Sequence, residues 1–356
     1  MTAGTRAGEI VHGGNLHDAG RRFPGAPSPF IDLSTGINPV PYPFARLRPE
    51  AFIRLPEPDA VWALQAEAAR AYGVTDPAMV VAAPGTQILI NLLPHLWPQK
   101  AISILGPTYA EHAASWSAVG ATVREVPEFE QLGDQPAVLC NPNNPDGRRV
   151  APAELLALAD RTRLLVVDEA FADFEGPGLS LAPYVTKPGV ILLRSFGKAF
   201  GLAGVRLGFA IAEPGTASAL RQALGPWAVS GPAIQIACEA LRDTAWIDAT
   251  VQRLDRDVAW LDTLLAGAGC RLIGGTRLFR LVEADLGLFD HLGRAGIFIR
   301  AYADRPRQFR FGIPAPDQWD QIQAALARSG PQAHCVSEPS PASLGSGGGS
   351  RPVSPS

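Results

Sequence analysis

The 356-residue sequence is short of ligating and reactive side chains, with four cysteines and six histidines. Cys140, Cys238, Cys270 and Cys335 form no CxxC pair, and none stands at a metal-ligand spacing from His12, His17, His95, His112, His291 or His334. The sequence therefore predicts no metal site and no disulfide framework. No run of about 18 apolar residues is present to span a bilayer, and the first residues lack the basic region and long apolar stretch of a signal peptide. The cytoplasm is the expected location, with no membrane partner. A formal net charge of −3 provides no basic field for nucleic acid, so any anion must be met by a few placed arginines. With 47% hydrophobic and 18% charged residues, the chain has the composition of a globular protein large enough for one large domain and a smaller one. A small molecule is the expected partner.

From about Asp59 to Ala212, short apolar runs alternate with helical patterns. The runs are Met79–Ala83, Ala101–Leu105, Ala137–Cys140, Leu164–Val167 and Val190–Leu193. This alternation predicts an α/β fold, a mostly parallel sheet flanked by helices, with ligands outside the carboxyl ends of the strands. Polar residues follow each of those ends: Gly85-Thr86-Gln87, Tyr109, Asn144, Asp168, then Ser195 and Lys198. The helical stretch Trp246 to Leu265 leads to a smaller α+β domain. The expected organisation is an N-terminal arm over 1–50 contributing to the small domain and the site, a large domain over 51–235, a small domain over 236–330, and a disordered Ser/Pro/Gly tail over 331–356.

The run Arg194-Ser195-Phe196-Gly197-Lys198-Ala199-Phe200-Gly201 sets one lysine among small residues between apolar segments. Desolvation there would favour a neutral, nucleophilic amine, as in the Schiff-base lysines of pyridoxal phosphate enzymes; a loop lysine between two core strands is the alternative. Asp168 ends an apolar strand, where a carboxylate needs a cation: a pyridinium nitrogen, or else a structural ion pair or helix cap. Gly85-Thr86-Gln87 opens a helix whose N–H groups can hold a phosphate, with Ser195 and Arg206 completing a cup, although ordinary capping reads the same way. Asn144, in the turn Asn141–Gly147, is a candidate donor to a ring oxygen. Tyr109 is a candidate stacking ring or a plain core aromatic.

These residues resemble the fold type I pyridoxal phosphate enzymes, the aspartate aminotransferase superfamily, over nearly all of residues 12–327. The matching motifs are Asn144-Pro145-x-Gly147, Asp168-Glu169-Ala170, Ser195-x-x-Lys198 with Arg206, and Phe309-Arg310-Phe311. The resemblance implies Lys198 as the cofactor's covalent anchor, Asp168 on the pyridine nitrogen, Asn144 on the ring oxygen, and Ser195 with Arg206 on the phosphate. It also implies Arg310 on a substrate carboxylate, and a homodimer.

Within that superfamily, His12-Gly13-Gly14-Asn15-Leu16, Leu33-Ser34-Thr35-Gly36-Ile37-Asn38-Pro39, Pro226-Trp227-Ala228-Val229-Ser230 and Ile297-Phe298-Ile299-Arg300 resemble the threonine-phosphate decarboxylases of cobalamin synthesis. That likeness implies loss of carbon dioxide from L-threonine O-3-phosphate, with His12, Asn38, Arg300 and Arg310 binding the phosphorylated amino acid. The alternatives are a histidinol-phosphate or related aminotransferase and a non-catalytic relative; no basic DNA-binding module supports the latter. Asp146 replaces a common Thr and places a charge near the expected pocket. Leu55 replaces a Tyr that relatives extend to a neighbouring subunit's cofactor, and Phe171 replaces a Tyr aimed at the ring oxygen.

Overall fold

A computed structural model of the chain describes residues 12–176 and 178–328. The expected tail and the first residues of the arm lie outside the described residues. Strand β1 (Ile31–Leu33) belongs to the smaller of two sheets. The larger holds β2 (Val80–Ala83), β3 (Ala101–Leu105), β4 (Thr122–Val126), β5 (Ala137–Cys140), β6 (Leu165–Asp168), β7 (Val190–Ser195) and β8 (Gly208–Ala212). Their order is β2-β8-β7-β6-β5-β3-β4, and only β8 runs against its neighbours.

The expected apolar runs are strands because helices cover both faces of this sheet. Along β6, Leu165 and Val167 pack into one core while Val166 packs into the other. In β7, Val190 and Leu192 face the first core, and Ile191 and Leu193 the second. A strand buried on both faces reads as a continuous apolar run. Edge strand β4 carries Arg124 and Glu125 on a largely exposed surface, which explains why hydrophobicity gave no sign of it.

The strand order reverses between β3 and β5, and a ligand crevice in an open α/β sheet forms at such a reversal. A second sheet stands over it, made of β1, β9 (Arg271–Thr276), β10 (Phe279–Glu283), β11 (Ile297–Ala301) and β12 (Gln308–Gly312), in the order β1-β11-β12-β10-β9. The N-terminal arm enters it through β1, which pairs in parallel with β11. The helix Thr244–Gly267 links the two parts. Among the described residues, no helix is long and apolar enough to cross a membrane.

Candidate active site

A cavity of about 360 Å³ opens at the carboxyl ends of the central strands. Gly85, the N-cap of the helix Thr86–Leu96, has φ +85°, and a β-carbon on it would lie 2.7 Å from Nη2 of Arg206. The missing side chain lets the guanidinium lie against the helix start. The first-turn N–H groups have no intrahelical acceptor, and together with the helix dipole they favour an anion. Ser195 ends β7 and lines the same wall, as do Thr86 and Gln87.

Lys198 sits in a one-turn helix, Phe196–Ala199, directly after β7. Its Nζ donates to Ser195 Oγ at 3.4 Å and lies 5.0 Å from the centre of the Phe171 ring. Burial pushes its ammonium below the ordinary lysine range; Asp168 opposes the shift, while Arg310 and Arg206 add to it. Asp168 closes β6, with Oδ1 accepting from Ala170 N and Oδ2 accepting from His112 Nε2, both at 3.0 Å. Burial alone would raise this carboxyl, but the bond from His112 and the charge on Lys198 hold it below the usual carboxylate range. Burial likewise depresses His112, yet hydrogen bonds with Asp168 and Cys140 raise it to about 10. The pair thus favours the anion at Asp168 and the protonated ring at His112. His112 and Cys140 escaped the sequence reading: one reads as a core residue of an amphipathic helix, the other as the last apolar residue of a strand.

Tyr109 follows β3 and donates its hydroxyl to Gln87 Oε1 at 3.0 Å. Gln87 Nε2 donates in turn to Asn91 and Glu111, so its side chain holds the ring of Tyr109 over the cavity. Burial, then the charges of Glu111 and Asp168, push the Tyr109 phenol up, and it stays protonated. Asn144 follows β5. Its Oδ1 accepts from Arg310 Nη1 at 2.5 Å, so the amide NH2 is the group it can offer to a ligand. Arg310, buried on β12, also donates Nη2 to the Ser34 carbonyl at 2.8 Å, and its Nε has no partner among the described residues.

A wider chamber of about 820 Å³ adjoins the first and shares His12, Tyr109, Asn144 and Arg310 with it. Arg300 lines this outer chamber, and its Cα is paired in register with that of Arg310 across β11 and β12. Two like charges on cross-strand neighbours are eased by an anion between them. His12 Nε2 lies 2.9 Å from Glu111 Oε1, fastening the N-terminal arm to the large domain at the chamber mouth.

Asn38, expected to bind substrate, does not line either chamber and lies against the lysine-bearing turn. Its Nδ2 donates to the Ala199 carbonyl, and its Oδ1 accepts from Val40 N and from Arg253 Nη2. The backbone N–H of Asn38 donates to the Lys198 carbonyl at 2.9 Å. With Oδ1 accepting twice and Nδ2 donating to the Ala199 carbonyl, Asn38 braces the lysine-bearing turn. Asn38→Ala is expected to cost about 1–3 kcal/mol in urea unfolding, with a smaller change in substrate KM than in stability. Asp146 also lies off the cavity: its Oδ1 closes the turn by accepting from Asn143 Nδ2 and Arg148 N. Leu55 is exposed and faces a separate groove.

A profile of the aminotransferase class I and II family matches residues 46–315. A threonine-phosphate decarboxylase of Sinorhizobium is 44% identical over 332 residues, covering 90% of this chain and 98% of the relative. One from Pseudomonas aeruginosa is 42% identical over 328 residues, covering 89% and 97%. The crystal structure of a histidinol-phosphate aminotransferase from Sinorhizobium meliloti, in complex with pyridoxal-5'-phosphate, superimposes with a TM-score of 0.77 over 92% of this chain and 98% of that one, at 22% identity.

Proposed function

The chain belongs to the aminotransferase class I and II family, and from that premise we propose that it is a pyridoxal-phosphate-dependent lyase acting on L-threonine O-3-phosphate. The product is (R)-1-amino-2-propanol O-2-phosphate, as expected of a step in cobalamin synthesis. The cavity suits the cofactor on its own chemistry. A phosphate fits the cradle left by Gly85 and backed by Arg206, a pyridinium nitrogen fits the anionic Asp168, and a planar ring fits between Tyr109 and the opposite wall. When bound, the cofactor would supply an electron-withdrawing ring, linked through the substrate's amino nitrogen, able to take up the electron pair left on the α-carbon.

The observation that carries the substrate reading is the Arg300–Arg310 pair on adjacent strands, Arg310 lining both connected chambers and Arg300 the outer one. It suits a molecule with two anionic groups. Arg310 meets the carboxylate with its unpartnered Nε, while Arg300 and His12 meet the phosphate. Holding both ends fixes rotation about the α-carbon, which decides the bond that breaks. Phe171 brings no hydroxyl of its own to the cavity, and Lys198 Nζ, beside Ser195 Oγ, is the amine positioned to return a proton to the α-carbon. Tyr109 and Phe171 line the cavity with aromatic carbon, which would help to exclude water from it. Histidinol phosphate, the substrate of the rival aminotransferase, has a phosphate and no carboxylate.

Replacing Arg300 by methionine is expected to lower kcat/KM for threonine phosphate by about 10- to 150-fold, the loss of one charge-assisted contact. Unphosphorylated threonine should be a poor substrate for both proteins. Equal use of threonine and threonine phosphate by the parent enzyme would refute the reading. We also infer a homodimer and a cytoplasmic location; the exposed side chains of Phe52, Ile53, Leu55 and Trp62 support the former as an apolar surface suited to a second copy.

A further inference from the structure

We infer that His112, Cys140 and Asp168 form a binding site for a divalent ion of the zinc class in the cofactor-free enzyme, and that ion and cofactor exclude one another. One nitrogen, one sulfur and one carboxylate oxygen from these residues lie within 4.8 Å of one another, and all three residues are buried. They come from separate elements. His112 is in the first turn of the helix Ala110–Ala118 after β3, while Cys140 and Asp168 end β5 and β6 as Cα partners in adjacent strands. Their positions are fixed by the sheet, which is why no short motif announces them.

The donor set selects the ion. Mixed nitrogen, sulfur and oxygen ligands suit zinc and its softer relatives, whereas magnesium and calcium require oxygen. Three protein ligands leave a fourth position for water, and Cys140 and Asp168 face the cavity, so that water and the ion both have a path. Ala170 N holds the other oxygen of Asp168 and fixes the carboxylate plane. Protons displaced from the ligand atoms on binding pass to solvent, and no electrons move. Thiolate and carboxylate then balance the two charges of the ion. The charge on Lys198, felt at Asp168, opposes the ion. The mutual exclusion rests on Asp168 being the cofactor's partner; the ion site does not.

The test uses the full-length enzyme freed of cofactor and titrated with cadmium as a spectroscopic substitute for zinc. Expected are a thiolate-to-cadmium charge-transfer band saturating at one ion per chain, its loss when zinc but not magnesium is added, and its absence in Cys140→Ser. The band should survive in Cys270→Ser, whose thiol is buried elsewhere. A measurement without variants runs alongside: cadmium should protect Cys140, and not Cys238, from alkylation read by mass spectrometry. Zinc at ten times its own dissociation constant should then weaken apparent pyridoxal phosphate affinity about tenfold. No band, or cadmium that fails to protect Cys140, would overturn the ion site. Cadmium held by Cys140 with cofactor affinity unchanged would overturn the exclusion. Failure of the decarboxylase reading is seen separately, as a cofactor-loaded, metal-free enzyme that releases no carbon dioxide.

Discussion

Replacing Lys198 by alanine is expected to reduce carbon dioxide release from threonine phosphate by about 10⁴-fold or more, the upper range for loss of a positioned proton-transfer group. Borohydride treatment should also no longer fix the cofactor to residue 198, as read by peptide mass spectrometry. Both effects follow from one placement. The lysine is held on a one-turn helix at the end of β7, its carbonyl gripped by Asn38 and its Nζ directed to Ser195 and the cavity. Burial favours the neutral amine, and Arg206 and Arg310 press in the same direction. Turnover preserved in Lys198→Ala would remove the residue from the chemistry altogether.

Beneath that placement lies a buried cluster whose disruption is expected to have the largest effect on stability. Arg194 precedes Ser195 and points to the opposite side of the sheet, where Nη1 donates to Glu169 at 2.8 Å and Nη2 to Asp173 at 3.1 Å. The guanidinium also stacks on Tyr72, 4.3 Å from the ring centre. Glu169, next to Asp168, accepts further bonds from Ser180 and Leu181 N. Arg194→Leu leaves two buried carboxylates without their cation, at a cost of about 3–5 kcal/mol in denaturant unfolding.

The loss should vary with pH. Burial already pushes the Asp173 carboxyl above its ordinary value, with Arg194 opposing. A carboxyl raised in the folded state holds its proton after the unfolded chain has released it, so its contribution to stability is present in acid and falls as pH rises through the folded value. Removing Arg194 raises it further. The deficit against the parent is therefore smallest in acid and grows toward neutrality. Adding Asp173→Asn should restore part of the loss at neutral pH; a pH-independent deficit would show that lost packing, rather than charge, sets the cost.

Much of the architecture was legible because β5, β6 and β7 are buried on both faces and so read as unbroken apolar runs followed by polar residues. Strand ends are also where a parallel sheet presents ligands, which is why Tyr109, Asn144, Asp168, Ser195 and Lys198 converge on one cavity. What stayed hidden depends on contacts remote in sequence. Asn38 takes its place from Ala199 and Arg253, 161 and 215 residues away. His112 acquires a role only because a helix start delivers it to Asp168, and Cys140 only because register sets it beside that carboxylate. Asp146 read as a charge near the ligand, while the turn consumes it locally.

The most direct test of the proposed chemistry is to follow both groups on the α-carbon while the enzyme, loaded with pyridoxal phosphate, turns over carboxyl-labelled L-threonine O-3-phosphate in the presence of 2-oxoglutarate. The account predicts one labelled carbon dioxide per substrate consumed, with the amino group retained in 1-amino-2-propanol O-2-phosphate and no glutamate formed. Stoichiometric glutamate with the label still in the organic product would contradict it.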